Sequence, residues 1–391
     1  MQVWHRVVAV VVTRIFLGLS LLLVWQFVQT AAAAVLPEDR ADVMYHSYNG
    51  GGVEVTGPSI LLRKSFAKNF SGSYNYYVDN VSSASIDVLS QASPYTEVRK
   101  ENSVNLDYLH DKTVMSAGFT ASRENDYDAN TSFFSLTQNM FGDLTTVTLG
   151  YSRGSNIVKN NNDPSFEATA DMRSYRLSLS QVLTKDLLLG FAYEAIADEG
   201  YLNNPYRSVR YVDSSVPAGY AWQPEVYPQT RTSNAAAIRL NYYLPYRASV
   251  YGGYRYFDDT WGIGANTYSI GYIQPYGSNW LFDINYRYYN QNNADFYSDL
   301  FPYYDAQNFL ARDKELSTYS SHQLGIGVTY MFAKNGFGFI KSGSANFYYN
   351  YMYFNYEDFR NVLDSTPATV GDEPLYTMSA NVLRMFVSLW F

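Results

Sequence analysis

Trp280-Leu281-Phe282-Asp283-Ile284-Asn285-Tyr286-Arg287-Tyr288 decides the reading of this chain. Trp280, Phe282, Ile284, Tyr286 and Tyr288 form one apolar face, and Asp283, Asn285 and Arg287 share the opposite one. A period of two is β-strand spacing; a helix, at roughly 3.6 residues per turn, would scatter both sets around its axis. The same grammar recurs elsewhere. In residues 144–152, Val147, Leu149 and Tyr151 stand opposite Thr146, Thr148 and Ser152. In residues 174–181, Tyr175, Leu177 and Leu179 stand opposite Arg176, Ser178 and Ser180. Residues 104–108, 236–242, 324–330 and 383–391 repeat the pattern.

Composition says what the apolar face meets. The 391 residues include 39 Tyr, 23 Phe and 6 Trp, so aromatics reach 17% while charged residues make up 16%. Soluble globular chains carry roughly 25% charge. Mean hydropathy is nevertheless −0.25. Beyond the N-terminal segment no apolar run approaches the roughly 20 residues that a membrane helix needs. Apolar surface is therefore spread thinly along strands. Hydrocarbon offers no hydrogen bonds, so strands persist in it only where closure pairs every edge. The expected fold is all-β: a transmembrane antiparallel up-and-down barrel with lipid outside and polar side chains within.

The connections agree. Tight joints at residues 67–69, 111–112, 141–143, 184–186, 245–247 and 275–278 alternate with longer polar stretches at 79–98, 124–130, 155–170, 198–231, 258–265, 290–316 and 357–375. Short periplasmic turns and long extracellular loops have this rhythm. Counting strands between them gives about 16, with 14 or 18 as alternatives. Tyr151, Tyr256, Tyr288, Tyr289 and Tyr353 are expected as the loop-side aromatic girdle, and Trp280, Phe332 and Phe391 as the turn-side one.

Residues 1–34 read as a secretory signal: a basic start through Arg14, an apolar run over 15–28, and Ala31-Ala32-Ala33-Ala34 for cleavage. Residues 35–391 are then one barrel domain destined for the outer membrane of a Gram-negative bacterium. Removing the first 34 residues takes the formal charge from −8 to about −10, which argues against a nucleic-acid partner. With no cysteine, a disulfide framework, a thiolate metal site and a cysteine nucleophile are excluded. Residues 383–391 alternate and end in Phe391. They resemble the C-terminal signature read by the barrel-assembly machinery, an expected partner beside outer-membrane lipid.

Four further segments carry a family resemblance: Tyr77-Val78-Asp79-Asn80-Val81-Ser82-Ser83-Ala84-Ser85, Asp198-Glu199-Gly200-Tyr201-Leu202-Asn203-Asn204-Pro205-Tyr206-Arg207, Phe296-Tyr297-Ser298-Asp299-Leu300-Phe301-Pro302 and Asn308-Phe309-Leu310-Ala311-Arg312-Asp313-Lys314-Glu315-Leu316-Ser317. Together they resemble the tyrosine-rich bacterial outer-membrane family catalogued as a domain of unknown function. The resemblance implies the barrel fold, a porin-like architecture and the location. It implies no activity.

Three functions fit such a barrel. A channel for small solutes leads. On the phase set by residues 280–288, Arg176, Arg239, Arg255, Arg287 and Arg384 face the interior against Asp107, Glu194 and Asp283; an arginine excess would favour anions. A non-conducting barrel that anchors or docks an envelope protein is the alternative. The stretches at 198–231 and 290–316 exceed ordinary unstructured loop lengths, and residues 306–312 are expected as a short helix folded into the mouth. Asp295, Asp299, Asp305, Phe309 and Arg312 are its candidate plug residues. An outer-membrane hydrolase comes third, since His46, His110 and His322 fall in no recognisable catalytic motif. No cofactor is expected, except that the aspartates of 290–316 or residues 160–163 offer hard oxygens to Ca²⁺.

Overall fold

A computed structural model of the chain describes residues 35–90, 95–364 and 369–391. The proposed signal at 1–34 lies outside these residues. The strands are β1 (Arg40–Gly50), β2 (Val53–Phe66), β3 (Phe70–Ser83), β4 (Tyr95–His110), β5 (Thr113–Arg123), β6 (Tyr127–Met140), β7 (Thr145–Asn160), β8 (Asp163–Thr184) and β9 (Leu187–Gly200). A short pair, β10 (Ser208–Val212) and β11 (Tyr220–Pro224), follows. Then come β12 (Thr230–Tyr243), β13 (Ser249–Asp259), β14 (Gly264–Tyr276), β15 (Trp280–Gln291), β16 (Tyr319–Phe332), β17 (Ser342–Arg360) and β18 (Leu375–Trp390).

Sixteen of these strands form a closed antiparallel barrel in which each pairs with its neighbour in sequence; β9 meets β12 directly, and β10 and β11 form a separate two-stranded sheet. The ring is sealed by β1 and β18, in register from Arg40 opposite Trp390 to Gly50 opposite Ala380. No helix among the described residues is long and apolar enough to cross a membrane.

The alternation sorts as the sequence demands. Trp280, Phe282, Ile284 and Tyr286 are 42% to 49% exposed, whereas Asp283, Asn285 and Arg287 are half-buried on the other face. Ile60, Val104, Phe134, Leu149, Ile238 and Ile326 are likewise exposed on other strands. A continuous apolar belt of this kind would be a liability in water and is the surface a bilayer solvates. Tyr289 departs from its expected place in the girdle. It takes the inward phase, and its hydroxyl donates to Gln291.

Turns at one end are tight enough to force left-handed backbone at Ala67, Asp111, Phe141, Asp143, Arg247 and Ala333. The opposite end differs from the sequence expectation in length. Strands β7 and β8 run on to Asn160 and from Asp163, so the tip is two residues where a loop over 155–170 was expected. The β5–β6 connection is likewise residues 124–126 rather than 124–130, and β3 and β4 intrude on 79–98. Strand ends that rise beyond the bilayer have water on both faces, and so lose the apolar alternation that marks a strand in sequence.

Candidate pore and mouth

Inside the barrel, large side chains lie flat along the wall because glycine leaves room for them. A β-carbon on Gly271 would sit 2.1 Å from the Tyr251 ring, and one on Gly327 would sit 2.5 Å from the Tyr348 ring. Arginines stack on the same rings: Arg239 lies 4.1 Å from the centroid of Tyr251 and Arg384 lies 5.7 Å from that of Tyr348. Glycine beneath tyrosine repairs an otherwise unpacked patch of sheet, and the ring face offers a cation–π contact to guanidinium.

Of the seven lumen residues expected from the sequence, Glu194 and Arg255 are buried, Arg239, Asp283, Arg287 and Arg384 are half-buried and Arg176 is exposed. Arg176 and Glu194 are cross-strand neighbours joined by an ion pair, and the Arg176 side chain is still 49% exposed, so that part of the interior is solvated. Asp283 accepts from Asn285 Nδ2 at 2.8 Å. Arg255 packs 5.5 Å over Phe257 and Arg287 packs 5.8 Å over Tyr289. Among the described residues Arg255, Arg287 and Arg384 have no carboxylate within 4.0 Å. Arg63 belongs to the same group and was missed in sequence, because the run Ile60-Leu61-Leu62-Arg63-Lys64 on β2 has no polar alternation to mark the phase.

The loop end is bridged by a lid of three segments, whose described residues are 201–229, 292–318, and 361–364 with 369–374. Arg210, fully buried on β10, is held by Asp299 and by both oxygens of Glu373. Asp299 also accepts from Arg312 Nη2 at 2.8 Å. Six strands, β12 to β17, separate the roots of the first and third segments, so the Arg210–Glu373 contact crosses the opening. In the other direction Tyr206 donates to Asp126 in the β5–β6 turn at 2.7 Å and accepts from Asn161 N at the β7–β8 tip at 2.8 Å. Trp261, Phe296, Tyr297 and Leu316 form an apolar core beneath. Burial and the neighbouring Asp313 carboxylate push Glu225 upward from the usual carboxylate range; its oxygens accept from Arg312 N and from the Tyr227 hydroxyl.

The expected plug helix over 306–312 is absent. Leu310 bridges to Val226 and Ala311 to Tyr297, so the backbone there is spent on other segments instead of on helical bonds; a 3-10 turn, Lys314–Leu316, follows it. Of the candidate plug residues, Asp299 and Arg312 meet in the buried network, Asp305 and Phe309 are exposed on the lid surface, and Asp295 packs against Gly262. The three aspartates are not brought together as a cation site. At residues 160–163 the side chains close the tight turn: Asn160 accepts from Asn162 N and Asp163 from Ser165.

The histidines are far apart in role. His46 is buried in the lumen wall, its Nε2 2.7 Å from Asp79 and 3.0 Å from the Tyr77 hydroxyl. His110 is exposed beside Asp111, and His322 faces outward against Tyr286. Among the described residues no serine hydroxyl bonds to His46, whose Nδ1 has no partner there. A nucleophile–base–acid relay needs both ring nitrogens engaged.

The sequence of residues 85–351 matches the family model described as a protein of unknown function, DUF3570. The chain belongs to this family. The DUF3570 match begins after β3 and ends within β17, so the strands that seal the ring lie outside it. No curated protein sequence matches the chain. Among solved structures, a bacterial polysaccharide outer membrane secretin aligns with 91% of this DUF3570 chain and 99% of its own, at 7% identity and a TM-score of 0.49. A FadL homologue from Pseudomonas aeruginosa aligns over 93% of each chain at 11% identity and 0.45. OprD from the same organism aligns over 93% of this chain and 97% of its own, at 12% identity and 0.38. The chain folds as a closed sixteen-stranded β-barrel of porin-like architecture.

Proposed function

We propose that this barrel is a channel for small polar solutes, leaning toward anions, whose outer mouth is narrowed by the lid. The observation that carries the reading is the set of inward guanidiniums, Arg63, Arg255, Arg287 and Arg384, that no carboxylate within ion-pair reach neutralises among the described residues. A ring of sixteen strands is wide enough for an aqueous lumen, and rings of arginine set anion preference in pores. The test is conductance of the folded protein in planar bilayers under a salt gradient. Chloride-selective current is expected, and it should shift toward cations in R255A/R287A; unchanged selectivity removes the arginine contribution.

The lid supports a second reading, a closed barrel that presents its outer loops to an envelope protein. Excising residues 208–224 opens the span held by Arg210. Current that appears or grows in this variant supports a gated channel, whereas silence in both proteins, each shown to be folded, selects the docking barrel. In either case Phe391 is proposed as the mark for the assembly machinery. Its backbone N–H donates to Asp39 O at 3.2 Å and its ring lies under Lys64, which places it at the closing seam.

A further inference from the structure

At the rim, three carboxylates from two places in the chain converge. Glu97 rises on β4, and Glu124 and Asp126 flank Asn125 in the β5–β6 turn. One oxygen from each lies within 4.8 Å of the others. Glu97 and Asp126 are 3% and 0% exposed. Glu97 Oε2, Glu124 Oε2 and Asp126 Oδ1 are each shut off from solvent with no hydrogen-bond donor. Their other bonds hold them in place: Asn125 N donates to Glu97 Oε1 at 2.9 Å and Tyr206 donates to Asp126 Oδ2 at 2.7 Å. Neighbouring cations are engaged elsewhere, Arg99 with Asp79, Lys159 with Asp128, and Arg123 with Asn130 and backbone carbonyls.

Buried acceptors without donors are costly, and carboxylates clustered together are costlier still. Oxygens within 4.8 Å of one another stand close to the spacing of ligands around one ion, which Ca²⁺ holds at approximately 2.3–2.6 Å. Glu97 also borders a cleft of about 410 Å³ lined by Glu54, Thr56 and Asn80, which admits the waters needed to complete a hard coordination shell.

We propose that Glu97, Glu124 and Asp126 form a divalent-cation site, suited to Ca²⁺, that ties the lid to the barrel rim through Tyr206. The site is independent of whether the lumen conducts. Burial, and for Glu124 the neighbouring carboxylates also, push Glu124 up to about 8 and Asp126 up to about 6, as expected where a positive charge is wanted.

Tb³⁺ serves as the probe, since Tyr206 and Tyr127 stand near enough to sensitise its emission. Full-length protein, folded in detergent at neutral pH, should show saturable Tb³⁺ luminescence that Ca²⁺ displaces. E97Q and D126N should each weaken binding by about tenfold or more, while D163N at the neighbouring tip leaves it unchanged. Heat-modified electrophoretic migration confirms that each variant is folded. Absence of saturable binding in folded wild-type protein, or equal affinity in E97Q, D126N and wild type, overturns the site and leaves three carboxyls that hold protons instead.

Discussion

Glycine and tyrosine act as a unit in this wall, and the pairing is decided by single atoms. Gly271 has a conformation any residue could adopt, and what forbids a side chain there is the Tyr251 ring. Gly271→Val should therefore lift that ring, and Arg239 with it, toward the lumen. We expect a loss of about 1–3 kcal/mol in stability by overpacking, read as a lower unfolding midpoint in detergent. A smaller unitary conductance should accompany it. The alternation that carries Arg255 and Arg287 is legible in sequence at this same scale, since they alternate with Tyr254, Tyr256, Tyr286 and Tyr288; that of Arg63 is not. The tyrosine–glycine stacks were not, because Tyr251 and Gly271 belong to different strands and meet only through register.

At the scale of elements, the lid depends on Asp299 standing between two buried guanidiniums. Asp299→Ala leaves Arg210 and Arg312 without that carboxylate. Breaking a buried pair from one side typically costs about 3–5 kcal/mol. We expect faster protease nicking within 292–318 with no change in the heat-modified migration that reports the barrel. The β5–β6 turn adds a pH dependence. Raised carboxylates at Glu124 and Asp126 mean that the folded rim retains protons which the unfolded chain releases. Their contribution is full below the ordinary carboxylate range and is lost as pH climbs through about 6 and then about 8. The groups facing them are Glu97, Asp79, Arg99 and Tyr206. Without divalent cations, protease resistance of the lid should fall between those values, and a resistance that rises instead would contradict the shifts. None of these partnerships could be read from sequence. Arg210 and Glu373 are separated by 163 positions, and Glu97 meets Asp126 only because β4 pairs with β5. Loop lengths were misjudged for a related reason, since strand ends standing in water carry no apolar phase.

For the whole molecule, two solvents surround one sheet, and neighbouring residues on a strand answer to different ones. Ile284→Arg places a charge against hydrocarbon, with an expected penalty of about 2–4 kcal/mol near mid-bilayer. Asn285→Arg, one position along, enters the wet interior and should be tolerated. Reconstituting both variants and comparing folded yield tests the phase on which the entire fold depends, and equal yields would refute it. That phase was plain in residues 280–288 because every second residue there is apolar, in a chain with so little charge.

The seam of β1 and β18 has a kinetic consequence. Eleven residues of β1 have their partners nearly the full described length of the chain away, so the final zippering cannot begin from local hairpins. The entropy of closing so large a loop grows only as its logarithm, but the search is slow when distant segments must meet. Until they do, two unsatisfied rims remain open to foreign strands. The rate at which this protein matures should therefore be set by the encounter of β1 with β18, and a catalyst that holds one of them while the other arrives would speed it most.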